Sequence, residues 1–141
     1  MLSATAKTHA PVLFCSLAFT AIVHAQCPVN SVIVKGHVEN PTADSKIRVE
    51  LVYPKNRPGE AGETTLEDGT FQIPIEFVTE QSSIFTNLPR RCGRKPKTVV
   101  ITWLENGQEA GQVSLDFSRN FKMADASAYT PRSEIVLRGP R

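Results

Sequence analysis

Two stretches of strictly alternating side chains constrain the fold more than any other feature of this chain. In the first, Ile47, Val49, Leu51 and Tyr53 alternate with Lys46, Arg48 and Glu50. In the second, Phe71, Ile73, Ile75 and Phe77 alternate with Thr70, Gln72, Pro74 and Glu76. A period of two puts every apolar side chain on one face of a strand and every polar one on the other. Glu67-Asp68-Gly69 stands just before the second stretch as a turn signal, because glycine adopts positive φ at no steric cost. Two such strands cannot cover their own apolar faces, so the rest of the chain must supply a second layer.

That layer is legible as further strands: Val32–Val38, stopped by Asn40-Pro41; Thr98–Leu104, branched and aromatic throughout; and Gln112–Phe117, returning after the hairpin signal Asn106-Gly107. Glu134–Arg138 is a last strand, and Glu63–Leu66 forms a short one. Pro54–Gly62 reads as a Pro- and Gly-rich loop, and residues 78–96 as irregular apart from a short strand or turn near Ile84-Phe85. The pattern of Arg119–Ala128 fits neither strand nor helix. No segment repeats apolar residues at helical spacing over three turns. About seven short strands predict an all-β protein, an antiparallel sandwich, and Trp103 is expected at the centre of its core.

The first 25 residues read as an address. Lys7 precedes an apolar run from Pro11 to Val23, and Val23-His24-Ala25 fits a secretory cleavage site before Gln26. The apolar run is too short for a membrane anchor, which needs about 20 residues. The expected mature protein is residues 26–141, one secreted, extracellular domain with one modest core. Its cysteines are Cys27 and Cys92, since Cys15 leaves with the signal. Two cysteines in an oxidising compartment predict one bridge. Closing a loop of about 65 residues stabilises by roughly 4 kcal/mol on the chain-entropy model.

Composition bears on function mainly by exclusion. Without Lys7 the lysines and arginines exceed the acidic residues by one, a balance that speaks against nucleic-acid or membrane-surface binding. His37 is the only histidine of the mature chain, so nucleophilic catalysis through histidine would rest on it alone. Its place in the first strand, out of phase with Val34 and Val38, reads as a solvent-facing position. One histidine and a cysteine pair leave no zinc site, Glu67-Asp68 belongs to a turn, and no calcium loop or phosphate-cradling motif occurs, so no metal or cofactor is expected and no enzyme.

Arg90-Arg91-Cys92-Gly93-Arg94-Lys95-Pro96-Lys97 carries five basic side chains in eight residues. Three readings stay open: a recognition loop for an acidic partner, a dibasic processing site at Arg90-Arg91, and a solvated loop that balances the acidic first half of the chain. As a binding surface it would contact a partner through Arg90, Arg91 and Arg94, tethered at Cys92. The Pro58 loop and Asn40-Pro41-Thr42 are the secondary contacts.

The order Val34-Lys35-Gly36-His37-Val38, Ile47-Arg48-Val49-Glu50-Leu51 and Asp68-Gly69-Thr70-Phe71-Gln72-Ile73 resembles transthyretin-like and carboxypeptidase-regulatory-like domains over residues 32–77. That resemblance implies a Greek-key sandwich of seven or eight strands and no particular activity. As a whole the chain resembles the small secreted effectors of filamentous fungi. Asn40-Pro41-Thr42 is similar to the start of the Asn-Pro-Thr-Thr-Gly loop of chagasin-type inhibitors of papain-like cysteine proteases, although Ala43-Asp44 replace Thr-Gly. The function expected is a monomeric, non-enzymatic effector that binds a host extracellular protein, with protease inhibition as its most concrete form. A structural or adhesive module of the producer's cell wall is the alternative.

Overall fold

The computed structural model describes residues 27–78 and 93–138. Over these the chain is all-β, two sheets packed face to face, with a single helical turn. One sheet is built on β1 (Val29–Glu39), which pairs antiparallel with β4 (Thr70–Val78) along its whole length. On its other edge β1 takes two short strands in succession, both parallel: β8 (Ala128–Pro131) at Ser31–Val32 and β9 (Ile135–Arg138) at Gly36–Glu39. β7 (Phe121–Met123) adds to β8. The second sheet runs β3 (Arg57–Thr65), β2 (Ser45–Tyr53), β5 (Thr98–Glu105), β6 (Gln108–Asp116), antiparallel throughout.

The alternation in the sequence maps onto the layers. Ile47, Val49 and Leu51 of β2 and Val99, Ile101 and Trp103 of β5 face Val32, Val34 and Val38 of β1 and Phe71, Ile73, Ile75 and Phe77 of β4, all buried. The turns follow the expected chemistry: φ is +50° at Asp68 and +75° at Gly69, +51° at Asn106 and +76° at Gly107. Paired left-handed residues give the twist that antiparallel strands need.

Where the sequence suggests a loop over Pro54–Gly62, the structure has a tight turn at 54–56 followed directly by β3. Lys55 and Asn56 take φ of +67° and +55° to make that turn. Pro58 pairs opposite Val52 on the outermost strand of its sheet, where its missing N–H costs no ladder bond, so proline does not preclude a strand there. A register shift between Glu50 and Val52 absorbs the mismatch. The Arg119–Ala128 region resolves into the helical turn Phe117–Asn120, capped by Asp116, which accepts from Arg119 N at 2.9 Å, and then β7. The short element expected near Ile84-Phe85 lies outside the described residues.

Gly36 is the tightest point of the first sheet. A Cβ there would lie 2.9 Å from Phe71 Cζ and still closer to the Ile135 carbonyl oxygen. The Phe71 ring fills the place that the alternation along β1 leaves empty, and β9 can approach only because the side chain is a hydrogen. Gly36→Ala should therefore lower unfolding stability by about 2–3 kcal/mol, the range for overpacking a filled core. Gly111→Ala, where a Cβ finds only ordinary contacts, should cost about 1 kcal/mol or less, and denaturant midpoints of the two variants decide between them.

Candidate functional site

Three hydrogen-bonded rows fix which loops are neighbours. At one end of the sandwich Val52 lies between Pro58 and Thr98, and its carbonyl accepts from Lys97 N at 2.8 Å. At the other, Ser45 pairs with Glu105, takes its N–H to Thr42 O at 3.2 Å, and accepts from Leu66 N at 3.3 Å. Val38 N donates to Gly69 O at 2.8 Å, which brings the Glu67-Asp68-Gly69 turn to that second end. The seven-residue step from Ser45 to Val52 separates the ends by about 23 Å at strand rise.

The sequence-predicted contacts divide between these ends. Arg94 is exposed and lies at the Val52 end, where Pro58 also sits. Asn40, Pro41 and Thr42 lie at the Ser45 end. There Asn40 has φ of +56°, and Thr42 is held by Ser45, whose Oγ accepts from Thr42 N at 3.0 Å and bonds its hydroxyl at 3.0 Å. This is a self-satisfied turn. Arg90, Arg91 and Cys92 lie outside the described residues.

The Val52 end has more chemistry than the sequence suggested. Lys55 and Arg57 come from the β2–β3 turn to join Arg94, Lys95 and Lys97, and all five are exposed. Across β3, β2 and β5 the spacing from Arg57 to Lys97 is two strand widths, about 10 Å. Beneath this rim is an aromatic cluster. Phe117 packs edge-on to Phe77 at 5.7 Å, stacks on Phe121 at 5.4 Å and meets Tyr129 at 5.0 Å. The Lys95 ammonium lies 5.5 Å from the Phe117 ring centre and 5.6 Å from that of Tyr129. Two ring faces and the bond from Phe117 N to Lys97 O at 2.9 Å hold the Arg94–Lys97 segment against the fold. Sequence reasoning missed Lys55 and Arg57 because their proximity depends on the β2 register, and a loop reading of 54–62 hides it.

An open cleft of about 890 Å³ lies toward the Ser45 end, lined by Lys35, His37, Thr70, Gln72, Arg132 and Glu134 among others. His37 is half-buried rather than freely solvent-facing, and its Nδ1 meets Glu134 Oε1 at 2.9 Å. A carboxylate so placed orients an imidazole, but among the described residues no hydroxyl is hydrogen-bonded to the other ring nitrogen. On the outer face of the second sheet Arg48 Nη2 reaches Glu63 at 3.0 Å and Lys46 reaches it at 3.5 Å. The Arg48 hydrogen bond foremost holds the Glu63 carboxyl below its ordinary range. Tyr53 donates to Glu60 at 2.6 Å, and burial first, then the Glu60 carboxylate, pushes its phenol above the usual value.

No family model matches the chain, and no curated protein or solved structure matches it either.

Because the folded-state pKa of Glu63 lies below its unfolded value, the stability it contributes is present above the ordinary carboxylate range. It is lost as pH falls through the folded pKa. In Arg48→Ala the carboxyl titration of Glu63, followed by NMR, should move up toward an unperturbed glutamate. An unmoved titration would assign the shift to a cause other than Arg48.

Proposed function

We propose that the chain is a secreted, non-enzymatic binding protein, an effector that docks on an acidic surface of a host extracellular protein through the Val52 end. The observation that carries this reading is the convergence of Lys55, Arg57, Arg94, Lys95 and Lys97, none of which has an ion-pair partner among the described residues. Recognition surfaces in sandwiches usually lie in loops held by a rigid scaffold. The Lys95–aromatic contact and the Lys97–Val52 bond reduce the entropy that this segment loses on docking. Arg90 and Arg91, just before it in the sequence, complete the proposed contact set together with Pro58.

Inhibition of a papain-like protease would have to come from this end alone. The Asn40-Pro41-Thr42 turn stands about 23 Å away, too far to enter the same cleft beside Arg94. The reading as a structural or adhesive wall module draws on the well-paired sheet faces, which need no partner.

The proposal includes a Cys27–Cys92 bridge and removal of residues 1–25. Gly93 packs so closely on the Val78 carbonyl that a Cβ would not fit, and Val78 pairs with Val29. Cys92 is thus one residue from a backbone contact with β4, and Cys27 is two residues before the β1 partner of that same position. Cys27 is not free. The transthyretin-like assignment belongs here as well. Its support is that β4 lies beside β1 while the intervening β2–β3 hairpin lies in the other sheet.

Mass spectrometry of the alkylated protein with and without prior reduction tests the bridge, and two thiols labelled without reduction would remove it. For binding, the variant Arg90→Ala, Arg91→Ala, Arg94→Ala should keep its melting behaviour while capture of partners from host extracellular fluid falls more than tenfold and loses most of its salt sensitivity. Undiminished capture by the triple variant would move the contact elsewhere.

A further inference from the structure

Exposed charges gather unevenly at the ends of the sandwich: basic side chains outnumber acidic ones at the Val52 end, where Asp116 stands opposite Thr98, and acidic ones prevail at the Ser45 end. At the Val52 end Lys55, Arg57, Arg94 and Lys97 are exposed and form no ion pair among the described residues. At the Ser45 end Asp44, Glu67, Asp68, Glu105 and Glu109 converge, brought together by the Ser45–Glu105 and Leu104–Glu109 pairings and by the Leu66–Ser45 hydrogen bond. Among the described residues these carboxylates form no ion pair either. Four of the five are exposed and Glu105 is half-exposed.

From this we infer that the Ser45 end is a docking surface for the Val52 end of a second copy, so that molecules associate head to tail. Two facts select this occupant. The complementary surface is present on the same molecule, at the opposite pole and of matching width, because each end is set by the same β3-β2-β5 row of strands. The ends are also separated by about 23 Å, whereas the Debye length is about 10 Å at 0.1 M salt. An approaching copy therefore responds to the nearer pole and not to the near-neutral whole. Joining unlike ends of one chain is heterologous and leaves a free end of each kind, so the product is an open chain of molecules rather than a closed dimer. The contacts are exposed ion pairs, individually weak, so association is reversible and needs high local concentration. It goes beyond the host-binding reading, and it would occupy the same basic end, so that crowded protein would withhold its binding surface until diluted.

The test is a charge swap followed by sedimentation velocity. One variant reverses the basic end (Arg57→Glu, Arg94→Glu, Lys97→Glu). The other reverses the acidic end (Glu67→Lys, Glu105→Lys, Glu109→Lys), leaving Asp68 alone because its φ of +50° would strain a lysine. Wild-type protein should sediment faster as its concentration rises from about 10 to about 500 μM at about 0.1 M salt, and should run as a monomer at about 1 M, where the Debye length is about 3 Å. Each variant alone then presents like charges at both ends and should stay monomeric, while an equimolar mixture of the two should recover the association. The inference is overturned by a wild-type protein that remains monomeric throughout, by a variant that still associates alone, or by a mixture that does not. The wild-type salt series stands even if a variant fails to fold, and because no host partner is present the result is independent of the host-binding proposal.

Discussion

The structure depends on the crowding of three strands around Gly36. β1 pairs with β4, β8 and β9, and it holds the first sheet together. At Gly36 the backbone of β9 and the ring of Phe71 take the space that a side chain would fill. With β9 seated there, Ile135 and Leu137 join the core and close it over Val38. The His37–Glu134 and Glu39–Arg138 pairs then bridge the same two strands on the outer side. Parallel pairing of β9 onto β1 is a long-range contact, of the kind that slows folding.

Among the described residues the core shows one departure from polar satisfaction in its side chains. Trp103, buried as the strand pattern implies, has its indole N–H buried without an acceptor. An unmet donor of this kind costs roughly 1–3 kcal/mol. The ring's area against Ile47 and its neighbours on β5 offsets that loss, since burying a large side chain contributes on the same scale. Among the described residues an aromatic cluster lies at the opposite end, in Phe77, Phe117, Phe121 and Tyr129, and Phe121 comes from the segment whose pattern fits neither strand nor helix.

Strands with one wet face were legible from their period of two, and the paired turn residues Asp68-Gly69 and Asn106-Gly107 were legible from their chemistry. Of β3 only the end, Glu63–Thr65, was legible, because its exposed residues Arg57–Ala61 carry no alternation and include proline and glycine, tolerated because the strand is an edge. β7 and β8 are three and four residues long, too short for any period to register. Of the candidate site, the basic run was visible as composition. Its junction with Lys55 and Arg57, and its separation from Asn40-Pro41-Thr42, depend on strand order and register. Those are set by which apolar faces meet, a tertiary fact that no local window contains.

The distribution of charge follows from the same geometry. On the sheet faces, side chains of adjacent strands stand directly opposite, so Arg48 and Lys46 find Glu63 and Gln112 finds Thr102. Those charges are consumed within the fold and shielded by it. Loops at the ends have no facing strand, so the charges placed there have no internal partner and keep their full field toward solvent. A two-sheet protein with paired faces thus directs its electrostatics along the strand axis. The sign at each end is decided by which turns it gathers. The Val52 end collects the turn at 54–56 and the approach to β5, both basic. The Ser45 end collects three turns in which Asp and Glu serve as turn formers and flanks. The acidic pole is therefore partly a by-product of turn chemistry, whereas Arg94, Lys95 and Lys97 precede a strand that needs no charge there, so turn chemistry does not account for the basic pole.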